Sequence, residues 1–213
     1  MSKLRITEIF YSLQGESRSV GLPTVFVRLT GCPLRCGYCD TAYAFQGGQW
    51  LELDDILAQI SALNCQTVCV TGGEPLAQKT CPELLKRLCD EGYQVSLETS
   101  GALDISIVDE RVVTVMDLKT PSSGEMEKNL YSNIAHLRKH DQVKFVISQR
   151  EDFDWACEQI QQYELSKRCE ILFSPVFEKL EPKQLADWIL AEHLAVRMQV
   201  QLHKLLWGDK PGH

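Results

Sequence analysis

The stretch TVFVRLTGCPLRCGYCDT, residues 24–41, sets a strand directly against a cysteine-bearing loop. Its first part, 24–30, is rich in β-branched and aromatic residues, the composition of a strand buried on both faces. Cys32, Cys36 and Cys39 follow with C-x3-C-x2-C spacing. Thiolates this close in sequence converge on one centre only if the loop curls, and Gly31, Pro33 and Gly37 permit that. A buried strand ending in a ligand-bearing loop is the building unit of parallel βα sheets, whose ligands gather beyond the carboxyl ends of the strands.

Downstream the unit recurs. Leu53, Ile56, Leu57, Ile60 and Leu63 share one face of a helix over 53–63, with acidic residues at its front. A second strand is expected over 67–71 and a second helix over 80–91. There Thr80 and Glu83 fit a capping box, Pro82 is tolerated in the first turn, and Gly92 suits the stop. Further strands are expected over 93–98, 112–117, 142–147 and 169–173, and helices over 127–140, 152–163 and 182–193. Residues 197–202 read as a final short strand and 5–10 as an extra edge strand. Such alternation implies an α/β chain with a parallel sheet and right-handed crossovers. A closed barrel of eight units takes about 250 residues. About six units in 213 residues make a partial, truncated barrel, one domain over 1–213.

Composition excludes several classes. With 44% hydrophobic and 24% charged residues the chain is an ordinary globular one, not disordered, collagenous or coiled-coil. No apolar run approaches the roughly 18 residues that span a bilayer. Residues 1–10 lack the apolar core and cleavage site of a signal peptide, so a cytoplasmic chain without membrane contact is expected. Lysine and arginine total 22 against 29 acids, a net charge of -7 with no basic block, which argues against nucleic-acid binding. Nine cysteines without a secretion signal point to a metal or cluster rather than a disulfide framework.

The count of three closely spaced thiols is informative. Structural zinc takes four protein ligands in a closed tetrahedron. A four-iron cluster held by three cysteines leaves one iron open to an exogenous ligand. A zinc site borrowing a distant Cys65, or three unrelated buried thiols, are the alternatives. Thr71-Gly72-Gly73-Glu74-Pro75 ends the second strand, where paired glycines let a ligand approach the backbone. Leu13-Gln14-Gly15-Glu16 carries an amide and a carboxylate suited to a polar heterocycle with amide and guanidine-like edges. Arg28, inside an apolar strand, needs an anionic partner, either a ligand carboxylate or an acid of the chain.

The cysteine spacing, with an aromatic just before the last cysteine, resembles the radical S-adenosylmethionine (SAM) superfamily, and the GGE element supports it. Taken with LQGE, Arg28, CPLRCGYCDT, TGGEPLAQ, ETSG, DLKTPSSG and QLHK, in order and over nearly the whole chain, the sequence resembles the 7-carboxy-7-deazaguanine synthase family. That resemblance implies a carbon–nitrogen lyase of queuosine-precursor (7-deazapurine) biosynthesis, acting on 6-carboxy-5,6,7,8-tetrahydropterin with loss of ammonia. It implies a [4Fe-4S] cluster on Cys32, Cys36 and Cys39, SAM on the open iron, and Mg2+ on Thr41. No side chain is expected to abstract the hydrogen, which falls to a radical generated at cluster-bound SAM. SAM contacts are implied for Tyr38, Cys39, Asp40, Gly73, Glu74, Gly101, Ser148, Gln149 and Arg150, with Ser174–Phe177 on the adenine side. Substrate contacts are implied for Leu13, Gln14, Gly15, Arg28, Thr71, Thr99 and, through the terminal carboxylate, His213. Lys119 suits either the SAM carboxylate or an ion pair with Asp117. The partners implied are the small pterin, a one-electron donor such as flavodoxin, and a second copy in a homodimer. A glycyl-radical activating enzyme would share the triplet and GGE but has no reason to carry LQGE and Arg28. A non-catalytic zinc-binding module is the alternative outside radical chemistry.

Overall fold

The computed structural model describes residues 2–208 together with Lys210 and Gly212. Among the described residues, nine strands form one sheet in the order β3-β1-β2-β4-β5-β6-β7-β8-β9. The parallel strands are β2 (Pro23–Leu29), β4 (Thr67–Gly72), β5 (Gln94–Thr99), β6 (Val113–Asp117), β7 (Gln142–Ile147), β8 (Glu170–Pro175) and the two-residue β9 (Arg197–Met198). Their linear order leaves the barrel open and truncated, as the unit count implies. β1 (Lys3–Leu13) runs antiparallel to β2 and is longer than expected. It is not an edge strand, because β3 (Gln49–Glu52) pairs antiparallel along its other side.

Four helices of ten or more residues cover the sheet: α1 (Leu53–Ala62), α2 (Cys81–Asp90), α3 (Arg150–Gln162) and α5 (Pro182–Ala191). Short α4 (Leu165–Arg168) and α6 (Leu202–Trp207) complete the set. α2 buries Cys81, Leu84, Leu85 and Leu88, spaced i, i+3, i+4 and i+7, and each such leucine contributes about 1.5–3 kcal/mol of burial. Phe145, Phe153, Phe173 and Trp188 meet edge-on between β7, β8, α3 and α5.

Three local expectations fail. The helix over 127–140 is absent; the segment forms short 3-10 turns at Met126–Lys128 and Tyr131–His136. Two buried asparagines explain this. Asn129 accepts from the Lys119 N–H at 2.8 Å and donates to its carbonyl at 2.9 Å. Asn133 accepts from the Ile105 N–H and donates to the Gly101 and Leu103 carbonyls. These side-chain bonds to loop backbone displace the helical pattern that composition suggests. The crossover after β6 therefore carries no α-helix, and the one after β5 carries none either. Thr80 makes no side-chain cap on α2; its backbone is already helical (φ -85°, ψ -11°), whereas a capping residue is extended. The expected strand over 197–202 stops at Met198, and the chain turns into α6.

Candidate functional site

The carboxyl ends of the parallel strands open into a cavity of about 440 Å3, within the range of small-molecule sites. Cys32, Cys36, Tyr38, Cys39, Asp40 and Thr41 line one side. The loop is tied by Cys39 N–H to the Cys36 carbonyl at 3.1 Å and Gly37 N–H to the Ser123 carbonyl at 3.0 Å. Arg35 folds back onto the Cys32 and Leu34 carbonyls and stacks on Phe45 at 4.3 Å. All three thiols are free, and desolvation pushes each above its ordinary range, so taking up iron releases protons. Three free thiols on one loop facing a cavity fit a cluster with an open corner. Among the described residues no three His, Cys, Asp or Glu side chains are arranged around a single ion. Cys65 precedes β4, at the opposite end of a six-residue strand. That strand spans roughly 20 Å, which removes Cys65 as a fourth ligand. Thr41 gives its hydroxyl hydrogen to Asp40 at 2.7 Å, leaving the oxygen lone pairs for a hard cation.

Gly72 and Gly73 also line the cavity. A Cβ at Gly73 would lie 2.3 Å from the Gly31 carbonyl and 2.8 Å from Cys32 Cβ, so only glycine lets β4 end against the cysteine loop. Glu74 behaves differently from a ligand-facing residue. Fully buried, it accepts from the Leu76 N–H at 2.9 Å, from the Thr99 hydroxyl, and from the Ser100 N–H and hydroxyl at 2.6 and 2.5 Å. Its own N–H meets the Gly31 carbonyl at 2.8 Å. Glu74 thus joins the end of β4 to the end of β5 and to the start of the cysteine loop.

The facing side holds Leu13, Gln14, Gly15, Glu16, Arg28, Thr71 and Thr99. Arg28 Nε donates to Glu8 at 2.6 Å, and Glu8 also accepts from Tyr43 at 2.8 Å. The guanidinium lies over the Phe10 and Tyr43 rings. An acid of the chain is therefore one anionic partner, and four guanidinium N–H groups remain beyond that bond.

Charge accumulates at the floor. Lys144 Nζ contacts Glu16 at 2.8 Å and Asp117 at 3.5 Å, and Lys119 pairs with Asp117. Burial alone would lower both ammonium groups; Asp117, joined at Lys144 by Glu16 and Glu98, reverses that and holds them charged. The same lysines outweigh burial at Asp117 and keep its carboxyl low. Of the two partners open to Lys119, Asp117 is the one it holds here.

The chain closes over this site. Leu202 N–H donates to the Gly15 carbonyl at 3.0 Å, and Gln201 donates to Asp40 at 2.9 Å. His203 lies so near Gly15 that a Cβ there would sit 2.1 Å from its Nδ1. Gln201, His203 and Lys204 all line the cavity.

Gly101, Ser148, Gln149 and Arg150 are not among its lining residues. Ser148 donates to Asp152 and Arg150 pairs with Asp154 and Glu192 on the outer helices. A Cβ at Gly101 would meet the Asp117 carbonyl at 2.3 Å, so this residue packs against β6. Val176 and Phe177 do reach the cavity. His213 lies outside the described residues. Glu98, Lys144 and His203 are cavity residues that sequence reasoning left unassigned. Lys144 had the same signal as Arg28, a cation inside an apolar strand, QVKFVI.

Comparison with known proteins gives concordant results. Residues 26–118 match the family model described as the radical SAM superfamily. A 7-carboxy-7-deazaguanine synthase from Chlorobaculum tepidum is 45% identical over 96% of this chain and 94% of its own length. One from Koribacter versatilis is 41% identical over 96% and 97%. The crystal structure of QueE from Escherichia coli superposes with a TM-score of 0.76 at 22% identity, covering 94% of this chain and 95% of that one.

Proposed function

This chain belongs to the 7-carboxy-7-deazaguanine synthase family of the radical SAM superfamily, and on that premise we propose that it converts 6-carboxy-5,6,7,8-tetrahydropterin to 7-carboxy-7-deazaguanine with release of ammonia. The observation that carries the reading is that one cavity joins the cysteine triplet and Gly73 to Leu13, Gln14, Gly15, Arg28, Thr71 and Thr99. A radical activase of a protein substrate needs an open groove for a polypeptide. Here the C-terminal segment crosses the mouth instead.

Cys32, Cys36 and Cys39 hold the [4Fe-4S] cluster in this reading, and Tyr38, Asp40 and Gly73 shape the space for SAM. Held by these residues, cluster and SAM together would supply the chemistry of hydrogen-atom abstraction. The chain's own residues bind and orient. Arg28 offers its remaining N–H donors to the substrate carboxylate, the planar match for which a guanidinium is suited. Gln14 and the Gly15 backbone meet the heterocycle. Thr41 would contribute one hard oxygen to Mg2+. The segment from Gln201 to Lys204 excludes water from the mouth. The proposal includes the whole chain acting as one domain, an external one-electron donor such as flavodoxin, and a homodimer.

Anaerobic reconstitution followed by incubation with SAM, reductant, Mg2+ and the carboxytetrahydropterin tests the assignment. Stoichiometric deazaguanine and ammonia are expected. Protein that carries four irons and cleaves SAM yet forms neither product would overturn it.

A further inference from the structure

Five carboxylates line this cavity or hold its arginine; three are matched by cations, and the oxygens of Asp40 are taken by Thr41 at 2.7 Å and Gln201 at 2.9 Å. Glu8 holds Arg28, Glu16 holds Lys144, and Asp117 holds Lys119 and Lys144. Glu98, at the end of β5, lines the cavity with no such ion pair among the described residues. Its oxygens accept only from neutral donors, Thr71 at 3.1 Å and Gln14 weakly at 3.5 Å. Each carboxylate oxygen has two acceptor positions, so Glu98 keeps acceptor capacity toward the cavity.

We infer that Glu98 is the specificity-determining acceptor for a guanine-like edge, the adjacent ring N–H and exocyclic amine of a 2-amino-4-oxo-pyrimidine ring. The inference rests on the function proposed above, whose pterin carries that edge. It also follows from the cavity itself. A carboxylate left without a cation at a protein–ligand boundary is best stabilised by two N–H donors arriving together. Burial pushes the Glu98 carboxyl up; Lys144 pulls it down, while Glu16 and Asp117 add to the rise. A donor-rich edge relieves that cost, and a carbonyl in place of the amine would face the carboxylate and be repelled. Thr71 and Gln14 fix the carboxylate's orientation. Glu98 therefore sets which ring is accepted, separately from the Arg28 contact to its carboxylate.

The test is a direct binding comparison on reconstituted holoenzyme with SAM and no reductant. One ligand is 6-carboxytetrahydropterin and the other its 2-oxo analogue, the carboxytetrahydrolumazine. The wild type should prefer the amino ligand by tenfold or more, because a site built around a donor rejects the analogue lacking it. In Glu98→Gln the preference should collapse to near unity or reverse, since the amide can offer an N–H to the 2-oxo group. In Glu98→Asp the charge is kept, so both ligands weaken while the preference persists. An unchanged preference in Glu98→Gln, or none in the wild type, overturns the assignment. Iron content and SAM affinity report the fold of each variant. If Glu98→Gln does not fold, loss of the preference in Glu98→Asp, read against the wild type, overturns the assignment instead. If the wild type rejects carboxylated ligands altogether, the functional reading falls. Uncarboxylated pterin and lumazine then give the same comparison, so the two ideas fail separately.

Discussion

Replacing Glu74 by glutamine changes no volume and removes one charge, yet it should destabilise the whole cysteine-loop region. Glu74 Oε1 accepts from the Leu76 N–H, and Oε2 accepts from the Ser100 N–H and hydroxyl. The Thr99 hydroxyl approaches both oxygens. A hydroxyl can rotate, but the two backbone N–H groups cannot. Whichever side the glutamine NH2 takes, it confronts a fixed donor. One charge-assisted bond worth about 1.5–3 kcal/mol is then lost, and a buried N–H is left unpaired at a further 1–3 kcal/mol. Allowing for relaxation, the loss should be about 3 kcal/mol, which for a chain of this size lowers the melting midpoint by roughly 6–12 °C. Denaturant unfolding of the cluster-free chain should show a shifted midpoint with an unchanged slope. SAM affinity of the reconstituted variant should fall as well, since Gly73 and Gly31 lose their anchor. A variant within 0.5 kcal/mol of the wild type would show that Glu74 is not the joint between β4 and β5.

Three further outcomes are expected. Thr41→Ala should raise the Mg2+ concentration needed for half-maximal turnover while leaving SAM binding in place, and an unaltered magnesium response refutes the assignment of this oxygen. Gly15→Ala introduces a methyl 2.1 Å from His203 Nδ1, so the C-terminal segment must shift; pterin binding should weaken at least tenfold with SAM binding retained, as measured by calorimetry. Burial holds the His203 imidazole below its ordinary 6.5, against the pull of Glu16 and Asp40. Because its folded value is depressed, the unfolded chain takes the proton first, and stability falls as pH drops below about 6.5. His203→Phe should flatten that part of a melting-temperature profile, and an unchanged slope would place the titrating group elsewhere.

Much of the fold was legible because it is written in local patterns. TVFVRLT, TVCVT and QVKFVI are strands at the expected places, and the apolar face of 53–63 is the buried face of α1. The segment 127–140 misled because its residues favour helix one at a time, whereas Asn129 and Asn133 find buried backbone partners that only the folded chain supplies. β3 was invisible because four residues that run straight into α1 carry no periodic signal of their own. In the site, the cysteines and glycines were readable from spacing. Ser148 to Arg150 were implied by the family resemblance alone, and Ser148 and Arg150 instead bond to Asp152 and Asp154 at the start of α3. Glu74 was legible as a motif member but not as a joint, because its partners Thr99 and Ser100 are 25 and 26 positions away.

The floor of the cavity raises an energetic question that the fold alone does not answer. Taking carboxylates and ammonium groups out of water costs several kcal/mol per ion, and well-packed apolar residues of similar volume are often as stable or more so. A chain selected for stability only would have no use for Lys144 within QVKFVI or for Glu16, Glu98 and Asp117 around it. The arrangement makes sense if the occupant is itself polar on several edges. Lys144 balances Glu16 and Asp117, Lys119 is held by Asp117, and Arg28 is held by Glu8 with donors to spare. The two valences left over are then the Arg28 donors and the Glu98 acceptors. One suits a carboxylate and the other an amino-pyrimidinone edge. A molecule carrying both at opposite ends would meet the Arg28 donors with its carboxylate and the Glu98 acceptors with its neutral N–H groups, and no singly functionalised ligand would do both.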